Sequence, residues 1–167
     1  MSMVIKNTDS DVDIFRDTPV RYLGYTNEVG EAFRSIVPKS VVWISYIIAS
    51  SYVVADAIHK GKKEYTKIGD ENKNKRVFLS TSDTLIWQSF ASVIIPGLVI
   101  NRICASVNFL RKQVPHGAMR SPWISTVIGL ASIPLIIHPI DSGVDNVMDK
   151  TYRQWTGYHP NKQDIDK

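Results

Sequence analysis

The chain is poor in the residues that anchor chemistry. A single cysteine, Cys104, excludes an intramolecular disulfide, and four scattered histidines leave no Cys/His cluster at zinc spacing. No GxSxG turn, phosphate-cradling glycine loop or His–acid pair at i,i+4 is present, so the sequence points to no enzyme, no metal and no cofactor. No basic stripe carries interleaved stacking aromatics, and a net charge of +4 fits a connector near anionic lipid better than nucleic-acid binding. Repeats, low-complexity tracts and long Pro/Gly/Ser linkers are also missing, which leaves one domain in 167 residues. Residues 1–17 lack the basic opening of a secretory signal or transit peptide and instead hold Asp9, Asp11, Asp13 and Asp17. They read as a disordered acidic N-terminus without a visible cleavable presequence.

The most informative absence is local. Ser40–Ala55, Thr84–Asn101 and Ser121–Ile140 contain no Asp, Glu, Lys or Arg over 16, 18 and 20 residues. A hydrocarbon core of about 30 Å needs roughly 20 residues of α-helix. A soluble helical bundle with clean core helices competes with this reading, and a mean hydropathy of -0.09 favours it. Such helices, however, keep a polar stripe toward water. WISYIIASSYVVA and VIGLASIPLIIHPI relieve their apolar runs with small and hydroxyl residues, the kind that let transmembrane helices approach closely.

The expected architecture is therefore all-α: a single helical membrane domain over 18–150 with about three spans, near 40–59, 83–110 and 122–138. Thr18 can cap a helix with Pro19 in its first turn, and Tyr22, Tyr25, Val29, Ala32, Phe33 and Ile36 recur at helical spacing as an amphipathic lead-in that Pro38 ends. Gly61 should close the first span. A basic loop over 60–76 follows, with seven Lys or Arg against three acids. Ser82 or Asp83 should start the second span, kinked at Pro96, and Pro134 and Pro139 should kink the third and bracket its end. Beyond it, Ile140, Val144, Val147, Met148, Tyr152 and Trp155 form the apolar stripe of a surface helix, with a polar tail over 151–167. Three spans place the N-terminus and the 102–120 loop on one side and the 60–76 loop and C-terminus on the other. Lys60, Lys62 and Lys63 would face anionic lipid and mildly favour their side as the inner one.

Four long words then carry a resemblance. RDTPVRYLGYTNEVGEAFRSIVP, SYVVADAIHKGKK, WQSFASVIIPGLVINRIC and IPLIIHPIDSGVD, spread over residues 16–145, resemble the mitochondrial fission process protein 1 family. The resemblance implies an integral, multi-pass protein of the mitochondrial inner membrane that promotes division of the organelle, with no established catalytic residue or cofactor. Its partners would be membrane lipids and other inner-membrane or fission proteins, and homo-oligomers are allowed.

Residue-level expectations come from the sequence alone. Asp56, His59, His138 and Asp141 fall at span ends on one side, where charges anchor a span or pair with one another. They could form a polar cluster locking the first span to the third. His59 and His138 could be imagined on a metal, but nothing local fixes their distance. Ser45 and Ala49 on the first span should pack against a ridge of Ser125, Gly129 and Ser132 on the third. The competing functional reading is a small oligomeric transporter or channel component, with Asn101, Arg102, Asp56 and His138 lining a path. Pro139-Ile140-Asp141 opens like the signature of mitochondrial solute carriers, but Val144 stands where that word needs a base, and the threefold repeat is absent.

Overall fold

The computed structural model describes residues 15, 18–67, 72–113 and 121–160. Apart from Phe15, the expected acidic N-terminus lies outside them, as do residues 68–71 of the expected basic loop, 114–120 of the second connection and 161–167 of the tail. A 3-10 segment, Pro19–Tyr25, leads into α1 (Thr26–Phe33). The long α2 (Lys39–Lys67) follows, then α3 (Lys73–Gln88), a π-helical stretch Ser89–Ile94 and α4 (Ile95–Gln113) as one continuous rod. The chain ends in α5 (Trp123–Lys150) and the short α6 (Tyr152–Thr156). No strand occurs among the described residues. Three helical runs, Lys39–Thr66, Lys73–Gln113 and Trp123–Thr156, are long and apolar enough to cross a membrane.

The bundle hides its polar groups and exposes its apolar ones. Trp43, Ile44, Ile47 and Val54 on α2, Leu98, Phe109 and Leu110 on α4, and Val127 and Leu135 on α5 are exposed, while Asp56, Gln88, Ser125 and Thr126 are buried. In water this distribution would leave a large apolar surface uncovered. In lipid the same distribution turns apolar side chains to the acyl chains and keeps the buried polar groups against protein. Small residues set the packing: a Cβ added to Gly129 would lie 2.7 Å from the Cys104 sulfur of α4 and 3.2 Å from Ala32 Cα, so α5 meets α1 almost backbone to backbone.

Several boundaries differ from the sequence reading. Gly61 does not end α2; it sits inside the helix with the side chains of Thr81 and Val77 close by, and α2 runs on to Lys67. Most of the expected basic loop is thus helical. Lys60, Lys62 and Lys63 are spaced along the last turns of α2, with Lys60 paired to Asp56. The second long rod begins at Lys73, about ten residues before Ser82 or Asp83, because those two groups have other duties. Ser82 Oγ reaches back to the Phe78 and Leu79 carbonyls, and Asp83 pairs with Arg153. The irregularity expected at Pro96 is absorbed one turn upstream. A proline ring crowds the carbonyl four residues before it, here Ser92, and the wide π turn of Ser89–Ile94 makes room for it.

Pro134 and Pro139 do not bracket the end of the third span. Both point outward, α5 passes through them to Lys150, and Ile133, Ile136 and Ile140 hold its register against the core. The expected surface helix is consequently a continuation of the span. Val144 and Met148 pack with Ala91 under Trp87, Ile95 and Tyr152. Nor is the tail wholly polar and free: α6 buries Arg153, Gly157 turns the chain at φ 67°, and Tyr158 is buried with its phenol pushed up by that burial.

Candidate functional site

Two polar centres hold the bundle at its two ends. The first is built on Glu31, which α1 carries inward to only 2% exposure. The Arg34 guanidinium, one turn later, donates two bonds to its carboxylate. The Tyr46 hydroxyl on α2 donates at 2.9 Å and the Asn101 amide on α4 at 2.8 Å. Three helices thus converge on one carboxylate, which charge-assisted bonds of this kind can stabilise within low dielectric. Asn27, one turn earlier, donates to the Val93 carbonyl beside the π stretch. The carbonyl of a widened turn is free to accept such a bond. A cleft of about 300 Å3 opens here between Glu31, Arg34, Trp43, Tyr46, Leu98 and Asn101.

At the opposite end, Arg153 on α6 forms a fork on Asp83 of α3 at 2.8 and 3.1 Å. Its remaining nitrogen reaches Asp145 at 3.0 Å and Asp149 at 2.9 Å on α5. Asp141, Asp145 and Asp149 follow one another at helical spacing, so the sequence shows a row of acids without showing the cation that joins them. The signal was the i,i+4 spacing of Asp149 and Arg153 across the α5–α6 break.

The four residues expected as a cluster are distributed otherwise. Asp56 is buried, accepts from Lys60 at 3.1 Å and from the Gln88 amide, and so ties α2 to the second rod. The His59 ring packs at 5.3 Å from the ring of Phe15. His138 is exposed on α5, three residues before the half-exposed Asp141. No group of three or more potential metal ligands occurs among the described residues. The expected small-residue contact is also divided. Ser45 faces Gly30 of α1, Ala49 is fully buried, Gly129 faces Ala32 and Cys104, and Ser125 Oγ meets Ser35 Oγ at 2.8 Å. Ser132 bonds back to the Ile128 carbonyl. The first and third spans therefore meet through α1, which lies between these small residues.

Buried charge, apolar exteriors and small-residue packing define a helical membrane protein. Residues 13–84 and 70–148 match the Mitochondrial 18 kDa protein family, and the chain belongs to it. It is 52% identical over 145 residues to Mitochondrial fission process protein 1 of Caenorhabditis elegans, covering 85% of this chain and 87% of the relative. To the protein of that name from Homo sapiens it is 51% identical over 144 residues, with the same shares covered. An uncharacterized protein of Acanthamoeba polyphaga mimivirus is 28% identical over 84% of this chain and 77% of its own length. No solved structure matches the chain.

Proposed function

We propose that this protein is an integral, multi-pass component of the mitochondrial inner membrane that promotes mitochondrial division by organising the membrane rather than by catalysis. The observation that carries the reading is the inverted polarity of the bundle, which places Glu31, Asp56 and Gln88 inside and Trp43, Leu98 and Leu135 outside. The names of its relatives supply the process. Its partners would be membrane lipids, anionic ones near the Lys62 end of α2, and other inner-membrane or fission proteins, with homo-oligomers allowed and no nucleic acid.

The facing of the polar residues favours an organiser over a transporter. Asn101 is bonded to Glu31 and Asp56 to Gln88 and Lys60, while Arg102 and His138 face outward, so the four do not line one path. The test combines location and consequence. Mitochondria stripped of their outer membrane should retain the protein in the alkaline-carbonate pellet, and cells depleted of it should carry elongated mitochondria that re-expression restores. Recovery in the carbonate supernatant, or unchanged organelle shape on depletion, would overturn the reading.

A further inference from the structure

The segment before α2 carries Glu28 and Glu31 and so escapes any search for apolar spans, yet it lies alongside α2 for most of the bundle. It runs antiparallel to it. Phe15 lies against the rings of Tyr52 and His59, and its carbonyl accepts from the Tyr52 hydroxyl at 2.7 Å. Gly24 faces the Tyr52 ring, Thr26 donates to the Ser45 carbonyl at 3.1 Å, and a Cβ on Gly30 would come within 2.8 Å of Ser45 Cβ. Seven 3-10 residues and eight α-helical ones rise about 26 Å together. The hydrocarbon core is about 30 Å.

The segment's polarity runs the same way as that of the long helices. Asn27, Glu28 and Glu31 are buried, and Glu28, at 1% exposure, has no hydrogen-bond partner on another residue among those described. Among the described side chains from Pro19 to Phe33, the exposed ones are Pro19, Tyr22, Leu23 and Val29. A helix lying on the membrane surface would turn its carboxylates to water and its apolar face to the bundle or lipid. Here the carboxylates face the bundle, and the apolar outer face continues the exposed surface of Trp43, Ile44 and Ile47 on the adjoining α2. Ionisable residues inside membranes face protein in this way.

We propose that residues 18–33 form a fourth membrane-crossing element, with Tyr22, Leu23 and Val29 against lipid acyl chains. Both chain ends and the α2–α3 connection then share one face of the membrane, and residues 34–38 and 114–120 share the other. This rests on the reading that the three long helices cross a membrane.

Single cysteines introduced as Ser2→Cys, Gly117→Cys and Asp166→Cys, each with Cys104→Ala, separate the possibilities when sealed mitoplasts meet an impermeant maleimide-PEG. The expected result is the same gel shift, or the same protection until detergent is added, for Ser2→Cys and Asp166→Cys, with Gly117→Cys showing the opposite. Epitope tags on the two ends of the unsubstituted chain, read by protease protection, give the same answer if Cys104→Ala fails to fold. A carbonate-resistant chain with its ends on opposite faces would overturn the fourth crossing alone. Release by carbonate, with all three sites labelled at once, would remove the spanning reading and this proposal together.

Discussion

Arg153 and Asp83, seventy residues apart, form a two-bond fork with both side chains almost fully buried, and this fork fastens the last helix to the second rod. Asp145 and Asp149, the other acids on the same guanidinium, are 50% and 57% exposed and can be hydrated when it leaves. Arg153→Met therefore strands Asp83 and should cost about 3–5 kcal/mol, as does breaking a buried pair. Asp145→Asn or Asp149→Asn should cost less than about 1 kcal/mol. Thermal unfolding in detergent checks the contrast, and equal losses in all three variants would contradict the geometry.

Glu31 is the acceptor for three helices, so its partners should be energetically coupled. Tyr46→Phe and Asn101→Leu should each destabilise by roughly 1 kcal/mol, and Glu31→Ala by several because it abandons all the donors. In a Glu31→Ala background the Tyr46→Phe change should cost almost nothing more. A double-mutant cycle in detergent reads this. Full additivity would separate the two groups.

Close approach at Gly129 predicts a steep size dependence. Gly129→Leu should disrupt folding, whereas Ile128→Leu, on a more exposed position of the same turn, should be tolerated. The Cys104 sulfur is the nearest atom to an added Cβ, so Cys104→Ala should recover part of the loss in Gly129→Ala. Yield of monodisperse protein is a sufficient readout.

Leu135 tests the solvent directly. It is 75% exposed, and on a water-facing surface Leu135→Arg would be nearly silent. In lipid the same change places a charge against acyl chains at a cost of about 2.5–3.5 kcal/mol on insertion scales. Insertion assayed by carbonate resistance should fall for Leu135→Arg and stay unchanged for Leu135→Phe.

Asp56 and His138 share no partner among the described residues, since Asp56 answers to Lys60 and Gln88 while His138 faces outward. Asp56→Asn and His138→Gln should thus add within about 0.5 kcal/mol. Their coupling would instead restore a contact between the ends of the first and third spans.

The sequence by itself determined the solvent and the class. Three stretches without Asp, Glu, Lys or Arg, close to the length of a bilayer crossing and relieved mainly by small and hydroxyl residues, point to lipid, and Ser45, Ala49, Ser125 and Gly129 advertise close helix packing whatever their partner. Identity was equally legible in long words such as WQSFASVIIPGLVINRIC, which mark the family without any geometry. What one chain of letters could not supply was which small residue meets which, or which acid meets which base. A Glu inside TNEVGEAF looks solvated when read locally, yet Glu31 is buried because Arg34 nearby balances its charge and Tyr46 and Asn101 on two distant helices donate hydrogen bonds to it. Likewise Gly61 looks like a helix end until Thr81 of the neighbouring rod is seen packed against it. Those pairings belong to the tertiary structure, since burial of a polar group becomes favourable only when partners far along the chain arrive at the same depth.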